Sequence, residues 1–130
     1  MSQDQREIIH SDAAPSAIGP YSQAVKIGNT VYVSGQIPLD PDTGELIAGD
    51  FKAQVERVFD NLAAVAAAAG ASPAHAVRVG LYLTDMSQFG IVNEVMASRF
   101  DAPYPARAAI GVAALPKNAA VEADAILVID

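Results

Sequence analysis

The sequence predicts an α+β sandwich, with one mixed sheet of about six strands and two helices on one face. Three observations carry this expectation. Over residues 51–69 apolar side chains recur every three or four positions, the period of an amphipathic helix. Around that helix, short alternating or charge-poor stretches read as strands and give the order β-β-β-α-β-α-β-β. The chain is 130 residues long with no Pro/Gly/Ser-rich linker, so residues 1–130 are read as a single domain.

Each element has a local reason. Ile8-Ile9-His10 can form a short first strand. Gln23 to Ile27 and Thr30 to Ser34 alternate around Gly28-Asn29, a pair suited to the positive φ angles of a tight hairpin. Pro38 to Gly49 is loop, with turn residues at Asp40-Pro41-Asp42 and Thr43-Gly44. Asp50 can cap a helix from Phe51 to about Ala69, and Gly70 suits its C′ position. Ser72-Pro73 can start one short helical turn. Val77 to Thr84 carries few charges and reads as a central strand.

Asp85 is placed to cap a second helix to about Phe100, with Phe89, Val92, Met96 and Phe100 inward. Arg107 to Ala114 and Val121 to Ile129 read as two further strands. Leu115 to Asn118 is short enough to pair them antiparallel. The second face of such a sheet is bare in a lone chain. With 26 Ala in the sequence, its small side chains suit contact with identical neighbours, so a homo-oligomer is expected.

Composition removes several function classes. No cysteine means no disulfide, no thiolate nucleophile and no Cys-based metal site, and is compatible with a reducing cytoplasm. The polar start has no apolar h-region, so no secretory signal is expected. The net charge of −7 argues against nucleic acid and anionic membranes, since phosphate binding needs Lys and Arg in excess. Neither His10 nor His75 belongs to a metal-spaced pair. Phosphate-binding glycine loops and the Gly-x-Ser-x-Gly elbow are absent.

What remains is a set of polar residues in apolar places. Arg107 interrupts a strand of small and apolar residues, Ala106 to Val112. Such an arginine must be paired or face a cleft. It forms either a structural ion pair with Glu122 or Asp124 on a neighbouring strand, or a fork for a ligand carboxylate. Glu122 and Asp124 alternate along one strand and share a face. They are either the solvated face of an edge strand or a repelling pair prepared for acid/base work. Asn93 falls on the stripe of Phe89, Met96 and Phe100, where a polar residue ordinarily bonds nearby backbone. Tyr21 and Ser34 each sit beside Gly or Pro near a strand end, where Gly35 lets a ligand approach the main chain.

Ala17-Ile18-Gly19-Pro20-Tyr21-Ser22-Gln23-Ala24, Val33-Ser34-Gly35-Gln36-Ile37-Pro38, Asp60-Asn61-Leu62, Val92-Asn93, Pro105-Ala106-Arg107 and Leu115-Pro116-Lys117 through Val121-Glu122 follow one another in this order. Together they resemble the RidA/YjgF family over nearly the whole chain, from about residue 7 onward. The resemblance implies a chorismate-mutase-like α+β fold assembled as a homotrimer, with clefts at the subunit interfaces. It implies hydrolysis of reactive enamines and imines (2-iminobutanoate, 2-iminopropanoate) to 2-oxo acids and ammonia, with no metal or cofactor.

By position, Arg107 would clamp the substrate carboxylate and Glu122 would activate water. Tyr21, Ser34 and Gly35 would line the cleft, Asn93 would support it, and Ala109 would contribute backbone contact. Many relatives carry Ser-Cys after the arginine where this chain has Ala108-Ala109, which excludes a thiol role. The segment from Asn93 to Arg107 is shorter than in typical members, and Asp124 replaces a second Glu. Two rival functions share the same residues: a non-catalytic trimeric binder of small 2-oxo acids, and an aminomuconate-type deaminase of a related branch.

Overall fold

The computed structural model describes residues 5–130; the polar start of the chain, at 1–4, lies outside the described residues. Six strands and two α-helices follow the expected order: β1 (Glu7–Ile9), β2 (Ala24–Ile27), β3 (Thr30–Gln36), α1 (Phe51–Ala68), β4 (Ala76–Leu83), α2 (Phe89–Arg99), β5 (Ala106–Gly111) and β6 (Val121–Val128). The β2–β3 hairpin turns at residues 28–29, where Gly28 takes a left-handed φ of +58°. Asn29 does not, so the turn needs only one residue of positive φ.

Asp50 caps α1 by accepting a hydrogen bond from the Ala53 amide at 2.9 Å, and Gly70 follows the helix with φ +79°. Asp85 caps a short 3₁₀ turn, Met86–Gln88, and α2 begins only at Phe89. Pro73–His75 is the expected single turn.

The sheet order is β1-β2-β3-β6-β4-β5. β5 runs parallel to β4, because α2 carries the chain back to the end where β4 began. The expected antiparallel pairing of the last two strands is therefore incorrect. Residues 112–120 instead carry the chain past β4, and β6 inserts between β3 and β4, antiparallel to both. β5 is left as an edge strand, ending at Gly111 rather than Ala114.

One face of the sheet is buried under the helices. Val31, Val33, Val79, Leu81, Ala123 and Leu127 meet Val55, Val58, Leu62 and Val65 of α1 and Val92, Val95 and Met96 of α2. Phe59 and Phe100 meet edge to face at 5.7 Å. Arg99 ties the helices together through Glu56 at 2.9 Å and Asp60 at 2.7 Å. The other face is open and leaves Ile8, Tyr32, Ile110 and Val128 exposed. Among the described residues, no helix is long and apolar enough to cross a membrane.

Candidate functional site

Arg107 sits on the edge strand β5 opposite Val79 of β4, which in turn faces Ala125 of β6. Residues directly opposite across a ladder share a face. Val79 and Ala125 are both buried beneath the helices, so Arg107 points toward α2. There its Nη1 donates a hydrogen bond to Asn93 Oδ1 at 2.5 Å. Its guanidinium carbon lies 4.9 Å from the centre of the Phe89 ring, a cation–π contact, and Met96 Sδ lies 3.8 Å from Nη1.

Phe89, Asn93 and Met96 form one stripe of α2, so a single helix face fixes the guanidinium. Asn93 thus bonds an arginine rather than the backbone partner its position suggests. Asn93, Met96 and Arg107, with Tyr104 and Pro105, border a cavity of about 570 Å³. Among the described residues no carboxylate forms an ion pair with Arg107, so of its two readings the structural pair with Glu122 or Asp124 does not occur.

Glu122 belongs to the opposite face. It lies across from Tyr82 of β4, three residues beyond Val79 and hence on the other side of the pleat. β6 is an interior strand, so the edge-strand reading of the acidic pair fails. The β3–β6 ladder shifts register between Val33 and Gln36, placing Ser34 and Gly35 against Asp124 alone. This bulge turns the Ser34–Gly35 main chain toward the carboxylate. A Cβ on Gly35 would overlap the Glu122 side chain, so this glycine is required by close approach.

Tyr21, Ile18, Ser34, Gly35 and Lys117 border the Glu122 cavity, about 380 Å³. Burial, and secondarily the charge of Asp124, push the Glu122 carboxyl above its ordinary proton affinity.

Two polar residues outside the expected set build the walls of this cavity. Gln23, 3% exposed, accepts from the Ser11 amide at 2.7 Å and donates to the Pro15 carbonyl at 2.8 Å. Those bonds hold the 11–15 segment in place. Asn61, fully buried on α1, donates to the carbonyls of Ile37 (3.3 Å) and Leu39 (3.1 Å), and so secures the chain leaving the bulge. Asn61 stands on the apolar stripe of α1 as Asn93 stands on that of α2. Lys117 at the cavity rim and Asn118 after it both take left-handed φ, +56° and +61°. Strain of this kind is concentrated at functional sites.

The expected residues therefore fall into two groups on opposite faces of the sheet. Arg107, Asn93 and Ala109 lie toward the helices, while Tyr21, Ser34, Gly35 and Glu122 surround the other cavity. His10 and His75 stand apart: His10 bonds Asp12 at 2.8 Å, and His75 accepts from the Ser72 amide at 3.0 Å. Among the described residues no three of His, Asp and Glu converge to hold a metal ion.

Residues 11–129 match the family model described as Endoribonuclease L-PSP. Protein DfrA of Myxococcus xanthus is 54% identical over 125 residues, covering 95% of both chains. The 2-iminobutanoate/2-iminopropanoate deaminase of the mite Dermatophagoides farinae is 44% identical over 125 residues, covering 96% of this chain and 98% of that one. The crystal structure of RidA from an Antarctic Psychrobacter superposes with a TM-score of 0.91 at 54% identity, covering 95% of this chain and 99% of that one.

Proposed function

The chain belongs to the RidA/YjgF family, and on that premise we propose that it is an enamine/imine deaminase whose sites form between subunits of a homotrimer. The observation that carries this reading is Arg107: a guanidinium fixed by Asn93 and Phe89, facing a cavity, with no carboxylate of the described chain to neutralise it. Its missing partner is the carboxylate of a ligand. Glu122 cannot serve that ligand from the same protomer, because the sheet lies between the two side chains. A neighbouring protomer whose own open face meets the β5 edge beside Arg107 supplies its Glu122 half-site, and a cyclic trimer repeats that junction at each interface.

In this arrangement Arg107 holds the carboxylate of a 2-imino acid in a bidentate grip. An enamine reaches the same site once it tautomerises to the imine. Glu122 of the adjacent protomer takes a proton from water as the oxygen bonds to the imine carbon. The C=N π pair moves to nitrogen, which enters protonated as the iminium and becomes a neutral amine. The carbinolamine then collapses: its oxygen re-forms a carbonyl and releases the hydroxyl proton to solvent, the C–N bond breaks, and the proton held by Glu122 leaves with ammonia. Water and imine balance against 2-oxo acid and ammonia, so the chemistry calls on no cofactor. An imine carbon is already electrophilic, and holding the reactants together supplies most of the gain. The ribonuclease named by the family description finds little support in a chain of net charge −7.

The test couples the purified protein to a threonine dehydratase and follows 2-oxobutanoate. Release faster than spontaneous imine hydrolysis supports the deaminase. Calorimetric binding of 2-oxobutanoate without acceleration assigns the same pocket to a binder and overturns the reading.

A further inference from the structure

Asp124 lies two residues from Glu122 on the same open face of β6, yet the two carboxylates have different surroundings. Across the ladder from Asp124 is Gly80 of β4, and a Cβ there would overlap the Asp124 carboxylate. The missing side chain makes a notch that holds the carboxylate against the sheet. Tyr82, which faces Glu122 in the ladder, donates its phenol to Asp124 Oδ2 at 3.1 Å. The residue opposite Glu122 therefore holds the carboxylate beside it. Glu122 has no such donor among the described hydrogen bonds and occupies the Gly35 side of the cavity.

We propose that Tyr82 and Asp124 form a positioning unit for Glu122: the phenol fixes Asp124 in the Gly80 notch, and the fixed charge keeps Glu122 able to take a proton from water and hold it until ammonia leaves. This rests on the deaminase reading for its purpose, though not for its physics. A carboxylate beside a second carboxylate gains proton affinity, and the gain depends on how closely the neighbour is held. The directions agree. Glu122 is raised by burial and then by Asp124, while Tyr82 is raised by burial and then by Asp124, so the phenol keeps the proton it donates.

The charged and titratable groups around Glu122 are Asp124 on its own strand, Tyr82 and Arg78 on β4, and Tyr21 and Lys117 at the cavity rim. In the proposed trimer the neighbour's Arg107 joins them. Arg78 makes no ion pair with Asp124 among the described residues, so the phenol is its principal partner.

The experiment titrates the Glu122 carboxyl by ¹³C NMR in the wild-type trimer, Asp124→Asn, Tyr82→Phe and the double variant, beside the pH profile of imine hydrolysis. Asp124→Asn moves the Glu122 midpoint to lower pH. Tyr82→Phe moves it the same way by less, since a freed Asp124 swings into water, where its charge is screened. The double variant goes no further than Asp124→Asn alone, the signature of residues acting as one unit. The acid limb of kcat/KM follows the midpoint. An unchanged midpoint in Asp124→Asn overturns the proposal, as do two single shifts that simply add. If the wild type hydrolyses no imine, the deaminase reading falls, and the titration still decides whether the pair acts on Glu122.

Discussion

Arg107 and Glu122 project from opposite faces of one sheet, separated by the register that places Val79 beside the arginine and Tyr82 beside the glutamate. No rotation of either side chain brings them to one ligand within a protomer. In the proposed deaminase the two therefore meet one ligand only across a junction between copies of the chain.

Asn93 and Phe89 are expected to act through Arg107. Asn93→Ala removes the oxygen that orients the guanidinium and should raise KM about tenfold with a smaller change in kcat, in keeping with the roughly 1.5–3 kcal/mol of a charge-assisted hydrogen bond. Phe89→Leu keeps the packing volume and removes the ring face, for a loss of about fivefold or less. Steady-state kinetics on the dehydratase-generated imine, with circular dichroism to verify folding, check both.

Much of this was readable from residue order alone. Helix α1 is written in its spacing, its Asp50 cap and Gly70, and the element order followed from period and turn chemistry. The pairing of the last strands was not readable, because a connection of the length of residues 112–120 can close a hairpin or step past a neighbour. Only the tertiary register chooses between them. Arg107 and Glu122 stood out as charges in apolar strands, but their opposite faces depend on that same register. Gln23 drew no attention as an anchor because its partners are backbone groups of a segment with no regular structure.

Glu122→Gln should abolish hydrolysis and yet stabilise the fold near neutral pH. The folded carboxyl has a raised proton affinity, so in the folded chain the ionised form is disfavoured relative to the unfolded one. Its contribution to stability is greatest below the ordinary glutamate range and is lost as pH rises through the raised folded value. The neutral amide escapes that loss. Urea unfolding of both proteins at pH 4 and pH 7.5, about one side and the other of that range, should show a difference that widens at the higher pH.

Asn61→Leu tests the wall of the Glu122 cavity. It removes the side-chain donor to the Leu39 and Ile37 carbonyls, leaving Ile37 only the Leu39 amide, and removes the acceptor of the Arg57 side chain at 3.0 Å. A cost of about 1–3 kcal/mol in chemical denaturation is expected, with the wild-type m-value retained. Activity measured well below the midpoint should also fall, since the segment leaving the Gly35 bulge is held by those bonds.

The central claim, a site shared between protomers, is tested most directly by complementation. Arg107→Ala and Glu122→Gln subunits, each inactive alone, are co-expressed with different tags and the imine deaminase activity of the unfractionated trimers is measured. Random assembly leaves about one interface in four with both native residues, so about a quarter of wild-type activity should return. Mixed trimers, verified by tandem purification, that recover no activity would contradict the account.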